Sequence, residues 1–168
     1  MLENKNIVYS KTSRFTDNVF IKYSMLFVFL AYLVLIYTQK DSNLSNDDFW
    51  GMIFGFLTII FVFGLLHFAK FEFNITSNGL QYRFFPIQFK YKFIHFSEIK
   101  YYEIRKYNPI LEYGGWGIRY AFKRGWAFTV GGNIGLQIVT NDDKRILFGT
   151  NEPEILITHF NNQKKNFK

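Results

Sequence analysis

The chain has 168 residues, a formal net charge of +7 and no cysteine. The missing thiols exclude disulfides, thiolate zinc sites and cysteine nucleophiles. Phe occurs 22 times and Tyr 11 times, far above ordinary usage, and Phe is densest in and around two apolar runs.

The excess positive charge is unevenly placed. Residues 1–22 carry Lys5, Lys11, Arg14 and Lys22 against Glu3 and Asp17, whereas residues 40–48 carry Lys40 against Asp41, Asp47 and Asp48. From residue 70 onward there are fifteen Lys or Arg against eight Asp or Glu. Such a balance suits an acidic membrane face better than nucleic acid, given the apolar runs described next.

Residues 1–20 are polar, mixed in charge and without a clear period, and are expected to form a short cytoplasmic tail, partly disordered or lying along a membrane surface. Residues 23–39 form an uncharged apolar run bracketed by Lys22 and Lys40. As a helix it measures about 25 Å, and snorkelling of the two lysines extends its reach. No small-x-small cleavage pattern follows it, which argues against a removed signal peptide. The second run, residues 49–69, is apolar on all sides and would make a helix about 30 Å long, matching a bilayer core. A soluble helix would show a polar stripe at the 3.6-residue period instead.

The expected arrangement is therefore a membrane hairpin over residues 21–69, with spans near 22–39 and 49–69 and an external loop at 40–48. In that loop Ser45, Asn46 and Asp47 can cap the second helix. Tyr23, Tyr37 and Trp50 fall where an aromatic belt would lie, and the Lys/Arg bias puts both termini in the cytoplasm. Gly51 and Gly55 form a Gly-x-x-x-Gly pair, a close-packing face for the partner helix or for a second copy. His67 is the single ionisable side chain within either run, and it sits at the interface three residues before Lys70.

No linker follows. Phe71, Phe73 and Ile75 alternate with Glu72, Asn74 and Thr76 as in a half-buried strand, and Asn78-Gly79 predicts a tight turn needing positive φ. Leu80, Tyr82 and Phe84 return, and Pro86 ends that strand. Phe89, Tyr91 and Phe93 alternate with Lys90 and Lys92 on a third strand with a basic face. Ser97-Glu98-Ile99 marks a short turn, and a fourth strand carries Tyr102 and Ile104 against Glu103 and Arg105. Further strands are expected over residues 118–122, 126–130, 136–140 and 145–148. Asn151, Pro153 and Glu154 open a C-terminal helix near 152–163, followed by a basic tail at 164–168. Residues 70–163 thus read as a mainly-β domain of seven or eight short antiparallel strands with an amphipathic helix at one end.

Several strings carry a likeness: Ile75-Thr-Ser-Asn-Gly-Leu-Gln-Tyr82, Phe96-Ser-Glu-Ile99, Tyr113-Gly-Gly-Trp-Gly-Ile-Arg119, Gly132-Asn-Ile-Gly135 and Arg145-Ile-Leu-Phe-Gly-Thr150. Together with the element order they resemble bacterial pleckstrin-homology-like (PH-like) domain proteins with two N-terminal transmembrane helices. The resemblance implies a bent, partly open antiparallel barrel capped by the last helix, at the bacterial inner membrane. It implies no particular activity, since that fold serves lipid heads, peptides and proteins alike.

The string Tyr113, Gly114, Gly115, Trp116, Gly117 and Arg119 is the first candidate site. Its glycines permit close approach, and Trp beside Arg makes a stacking surface. The plainer reading is a tight loop whose Trp fills the barrel end and whose Arg pairs with a carboxylate such as Glu112. The second candidate is the basic set Lys90, Lys92, Lys100, Arg105, Lys106, Lys123 and Arg124, where each cation near an anionic leaflet contributes roughly 1 kcal/mol. His67, His95 and His159 are scattered, no phosphate-loop motif occurs, and no acid–base pair stands out. The expectation is a non-enzymatic membrane-anchored binding or scaffolding module, without metal or cofactor, that meets a protein partner or anionic lipid head groups. The competing expectations are an accessory subunit of a transporter or envelope complex docking through its hairpin, a homo-oligomer of the same design, and an enzyme.

Overall fold

The computed structural model describes residues 7–39 and 45–166. The chain divides into two compact units, one spanning residues 15–69 and the other joining residues up to 14 with those from 70 onward.

The first unit is helical. A short 3-10 turn, Phe15–Asp17, leads to Asn18, whose side chain accepts the Phe20 N–H at 3.0 Å and caps α1 (Val19–Thr38). Ser45 caps α2 (Asn46–Phe68) in a reciprocal box with Asp48, the Ser45 Oγ donating to Asp48 Oδ2 at 2.7 Å. Most of the expected loop 40–48 lies outside the described residues. Both helices are long and apolar enough to cross a membrane, with a mean hydropathy of 2.3 each, and neither has a residue buried by the described part of the chain. Their hydroxyls turn back on the helix: Ser24 donates to the Ile21 carbonyl and Thr58 to the Phe54 carbonyl. The two helices meet at Tyr32, whose hydroxyl donates to the Met52 carbonyl and whose ring stacks against Phe56 at 6.1 Å. Gly55 faces that ring, with a Cβ there lying 3.3 Å from the hydroxyl oxygen, while Gly51 faces open space. The Gly-x-x-x-Gly pair is thus split, one member seating Tyr32 and the other without a neighbour among the described residues.

Among its described residues, the second unit contains nine strands and two α-helices. β1 (Ile7–Arg14), β2 (Lys70–Thr76), β3 (Gly79–Phe85) and β4 (Lys92–His95) form an antiparallel sheet in that order. β5 (Ile99–Lys106), β6 (Gly117–Ala121), β7 (Gly125–Thr129), β8 (Ile134–Thr140) and β9 (Arg145–Gly149) form a second sheet in the order β5-β8-β9-β7-β6. α3 (Pro109–Tyr113) precedes β6, and α4 (Pro153–Asn166) follows β9.

Several sequence expectations need correction here. Residues 7–14 are not a tail. They form the edge strand β1, paired with β2 in a register that sets Arg14 opposite Lys70 and Ser10 opposite Asn74, whose Oδ1 accepts the Ser10 hydroxyl at 2.7 Å. The helical unit is thus an insertion between two paired strands. Eight strands do follow residue 70, but β7 and β9 run parallel, and the described strands make two sheets, with no closed barrel among them. The third strand begins only at Lys92, leaving Phe89 exposed and Lys90 and Tyr91 outside it. The two-residue loop is Ser77-Asn78, and Gly79 lies in β3 without positive φ. Its missing Cβ is explained by β4, because a side chain would collide with the Ile94 carbonyl. The C-terminal helix continues through Asn166, so the first part of the expected basic tail is helical.

The core lies between the sheets and is largely aromatic. Phe71, Phe73 and Tyr82 from the first sheet meet Phe128 and Phe148 from the second, with ring separations of 4.9–6.2 Å. α4 adds Leu156 and Phe160, the latter against Phe96 at 5.5 Å and Tyr102 at 4.5 Å.

β2 also buries its polar face. Glu72 is only 7 % exposed, and its Oε2 accepts Arg83 Nε at 2.9 Å, Arg83 Nη2 at 2.5 Å and the Tyr91 hydroxyl, while Lys70 lies 2.7 Å from Oε1. Burial pushes the carboxyl pKa up, but Lys70, Tyr91 and Arg83 outweigh it and hold it below the ordinary value. A depressed pKa contributes stability that is fully present above the unfolded carboxyl value and lost as pH falls through the folded one. Glu72→Gln should cost roughly 2 kcal/mol, less than a fully buried pair because Arg83 is partly exposed. It should also remove that part of the acid sensitivity. Urea unfolding of the solubilised full chain, followed by near-UV circular dichroism at several pH values, measures both.

Candidate functional site

On β5, Tyr102 packs inward against Phe160, so Tyr101, Glu103 and Arg105 occupy the outer face. The β8 register brings Gln137 beside Glu103 and Val139 beside Tyr101, and β9 sets Arg145 next to Val139. Arg124 comes from the turn between β6 and β7. Together they line a hollow of about 380 Å³ that is open to solvent.

Its three guanidinium groups differ in their freedom. Arg105 is locked: Nε donates to Gln137 at 3.2 Å, Nη1 to Glu112 at 2.9 Å and Nη2 to the Tyr113 hydroxyl at 3.2 Å. Arg124 Nη1 donates to the same Glu112 oxygen at 2.7 Å. Arg145 donates from Nη1 to the Lys123 carbonyl at 3.2 Å and pairs with no carboxylate among the described residues. Glu112 also accepts the Asn108 N–H at 2.8 Å. Burial raises the Glu112 pKa, while the Asn108 N–H, Arg105 and Arg124 lower it further than burial lifts it, leaving a carboxylate anchored as an anion.

Local sequence explains why these groups meet. Asn108 caps α3 through the Ile110 and Leu111 N–H groups, and Pro109 opens the helix. Gly114 ends it in the left-handed region at φ +72°. That one turn carries Glu112 to both arginines and Tyr113 into a small cluster with Tyr107, Ala127 and Leu147 on this face of the sheet. Gly125, at φ +79°, closes the β6–β7 turn where a Cβ would collide with the Arg145 carbonyl, so Arg124 and Arg145 are held side by side.

The Tyr113–Arg119 string is largely spent on structure. Tyr113 is buried, Gly114, Gly115 and Gly117 all have positive φ, and Trp116 Nε1 donates to the Gly132 carbonyl at 3.0 Å. Arg119 does not pair with Glu112. Its Nε donates to the Trp116 carbonyl at 3.2 Å, and its side chain is exposed. Lys90 and Lys92 are exposed beside and on β4 of the other sheet, away from the residues that line the hollow. Arg124 lines the hollow, whereas Lys123 gives it only a backbone carbonyl, the acceptor for Arg145. Arg145 and Gln137 carry no local signal of a site, since Arg145 closes a charged turn beside Lys144 and Gln137 sits within an apolar strand, and the pairing of β8 with β9 is what gathers them. His159 stacks on Tyr9 at 5.2 Å, and no cluster of metal-ligating side chains occurs among the described residues.

Next to the hollow, the β6–β7 turn projects Phe122, which is 91 % exposed, followed by exposed Lys123 and Arg124. Tyr120 and Trp126 flank it on the two strands, with rings 5.2 Å apart and both exposed. An apolar tip with basic and Trp/Tyr neighbours is an interfacial chemistry, since each ring buries apolar area and leaves a polar atom wet. Leu111 and Ile110 add exposed apolar surface on α3.

No family model, curated protein or solved structure matches the chain. The site therefore stands on its own geometry. Gly125→Ala should lower stability by about 3 kcal/mol, through both the positive φ and the collision with β9. The same urea titration reads this, and a cost under about 0.5 kcal/mol would show that the turn does not depend on that close approach.

Proposed function

We propose that this chain is a membrane-anchored, non-enzymatic binding module whose β unit engages an anionic lipid surface through the β6–β7 turn. The helices α1 and α2 supply the anchor. Their apolar surface finds no cover among the described residues, and at about 25 cal/mol per Å² such an area favours a nonpolar surrounding. On this reading the β unit is cytoplasmic, at a bacterial inner membrane, and of the PH-like kind. The four-stranded and five-stranded sheets with a C-terminal helix support that kinship at the level of layer arrangement.

The observation that carries the lipid reading is the exposed Phe122 between Tyr120 and Trp126, with Lys123 and Arg124 following it. Burying one such ring in the interface is worth roughly 2 kcal/mol, and each neighbouring cation adds about 1 kcal/mol against an anionic leaflet. These sums suit a reversible contact of a module that is already tethered.

The chain has no native cysteine, so a single Phe122→Cys variant carries one environment-sensitive NBD fluorophore cleanly. In vesicles holding the full chain, the emission should shift to the blue when anionic lipid is present. It should shift less with Lys123→Glu. Identical emission in wholly zwitterionic and anionic vesicles would defeat the reading.

A further inference from the structure

We propose that the hollow between β5, β8, β9 and the β6–β7 turn is a binding site for a phosphoryl group, held by Arg145 and Arg124. The inference rests on the lipid-surface reading and deepens it by naming a ligand chemistry beside the same β6–β7 turn, whose Arg124 lines the hollow.

Each guanidinium carries five N–H donors in a planar fork. Arg145 spends one on the Lys123 carbonyl and Arg124 one on Glu112, as the bonds above show. Most of the remaining donors of both are available to a ligand in the hollow they line. Arg105 contributes differently. Its bonds to Gln137, Glu112 and Tyr113 fix it in the wall, where its charge adds to the field without being a first contact. Glu112 cannot quench all three: one oxygen is shared by Arg105 and Arg124, and Arg145 lies outside its reach among the described ion pairs. Paired forks recognise phosphate oxygens bidentately, which a lysine point charge does not reproduce.

Two further features bear on the ligand. Glu103 also lines the hollow, and its Oε2 accepts the Tyr101 hydroxyl at 2.9 Å. A carboxylate there weakens the hold on a bare phosphate without abolishing it and accepts a hydroxyl donor, so the preferred ligand carries a phosphoryl group with a hydroxyl beside it. The volume of about 380 Å³ accommodates a phosphorylated head group or a small phosphate ester, near the lower end for small-molecule sites. The phosphoryl group is the shared chemistry, and it reaches the hollow from a lipid or from solution.

The test uses the full chain in zwitterionic nanodiscs, titrated with inorganic phosphate against matched ionic strength in chloride. The readout is the ¹⁵Nε–H resonances of the arginine side chains. Saturable shifts of Arg124 and Arg145 are expected, with affinity weakened at least tenfold in Arg145→Gln and partly recovered in Arg145→Lys. Arg145 is exposed and carries no carboxylate partner, so these variants should fold, and the unfolding midpoint verifies it. A second arm replaces the phosphate with nanodiscs containing phosphatidate. Shifts of the same two resonances there assign the site to a lipid head group, and shifts with free phosphate alone assign it to a soluble ester. Shifts that do not saturate, or that persist unchanged in Arg145→Gln, overturn the proposal. The Phe122 fluorophore is a separate readout: blue shift without phosphate binding leaves the lipid reading standing and sinks this one, and the reverse result does the opposite.

Discussion

The pairing of β1 with β2 is the constraint on which the rest depends. Arg14 stands opposite Lys70 at one end of that ladder, so the chain leaves the β unit and re-enters it at neighbouring points. Between them lie both apolar helices. Ala69 alone separates α2 from β2, which leaves no slack on the return. Loop closure costs grow only with the logarithm of length, so a pair of internally ordered helices can be inserted between two strands at little expense to the sheet. The corollary is that residues 70–168 are not an independent domain. Without β1, the edge of β2 loses its ladder partners, and Asn74, buried in β2, loses the Ser10 hydroxyl.

Much of the local structure was legible because it follows from short periods. The apolar runs announced α1 and α2, and alternation placed β2, β3 and β5. Ser45 caps α2 as a small polar residue before an apolar segment does, whereas the short helix α3 after Asn108 had no period to announce it. What failed was pairing over distance. Residues 7–14, Ile-Val-Tyr-Ser-Lys-Thr-Ser-Arg, look like a polar tail because an edge strand on a polar sheet face has little apolar period to show. The burial of Glu72 was hidden for a related reason. Its alternation with Phe71 and Phe73 implied solvent, whereas Arg83 and Tyr91 from the adjoining strand and loop cover it.

The candidate site shows the same division. The sequence drew attention to Tyr113–Arg119 as its most distinctive string, and those residues build a helix stop and a turn. The chemistry lies beside them. Glu112 gathers Arg105 and Arg124, Gly125 sets Arg124 against Arg145, and Phe122 is left projecting at the tip. A glycine-rich loop thus acts as the support, and the cations beside it come from three separate segments. Composition alone gave the sign of the charge, but the sheet order β5-β8-β9-β7-β6 decides which charges converge.

Hydrogen exchange of the full chain in lipid nanodiscs tests the inserted-hairpin architecture most directly. An antiparallel edge strand has about half of its amides in the ladder. The peptide covering residues 7–14 should therefore keep about half of its amide protons for as long as β2 keeps its own. Complete exchange of that peptide within seconds, with β2 still protected, would show a free tail and contradict the account.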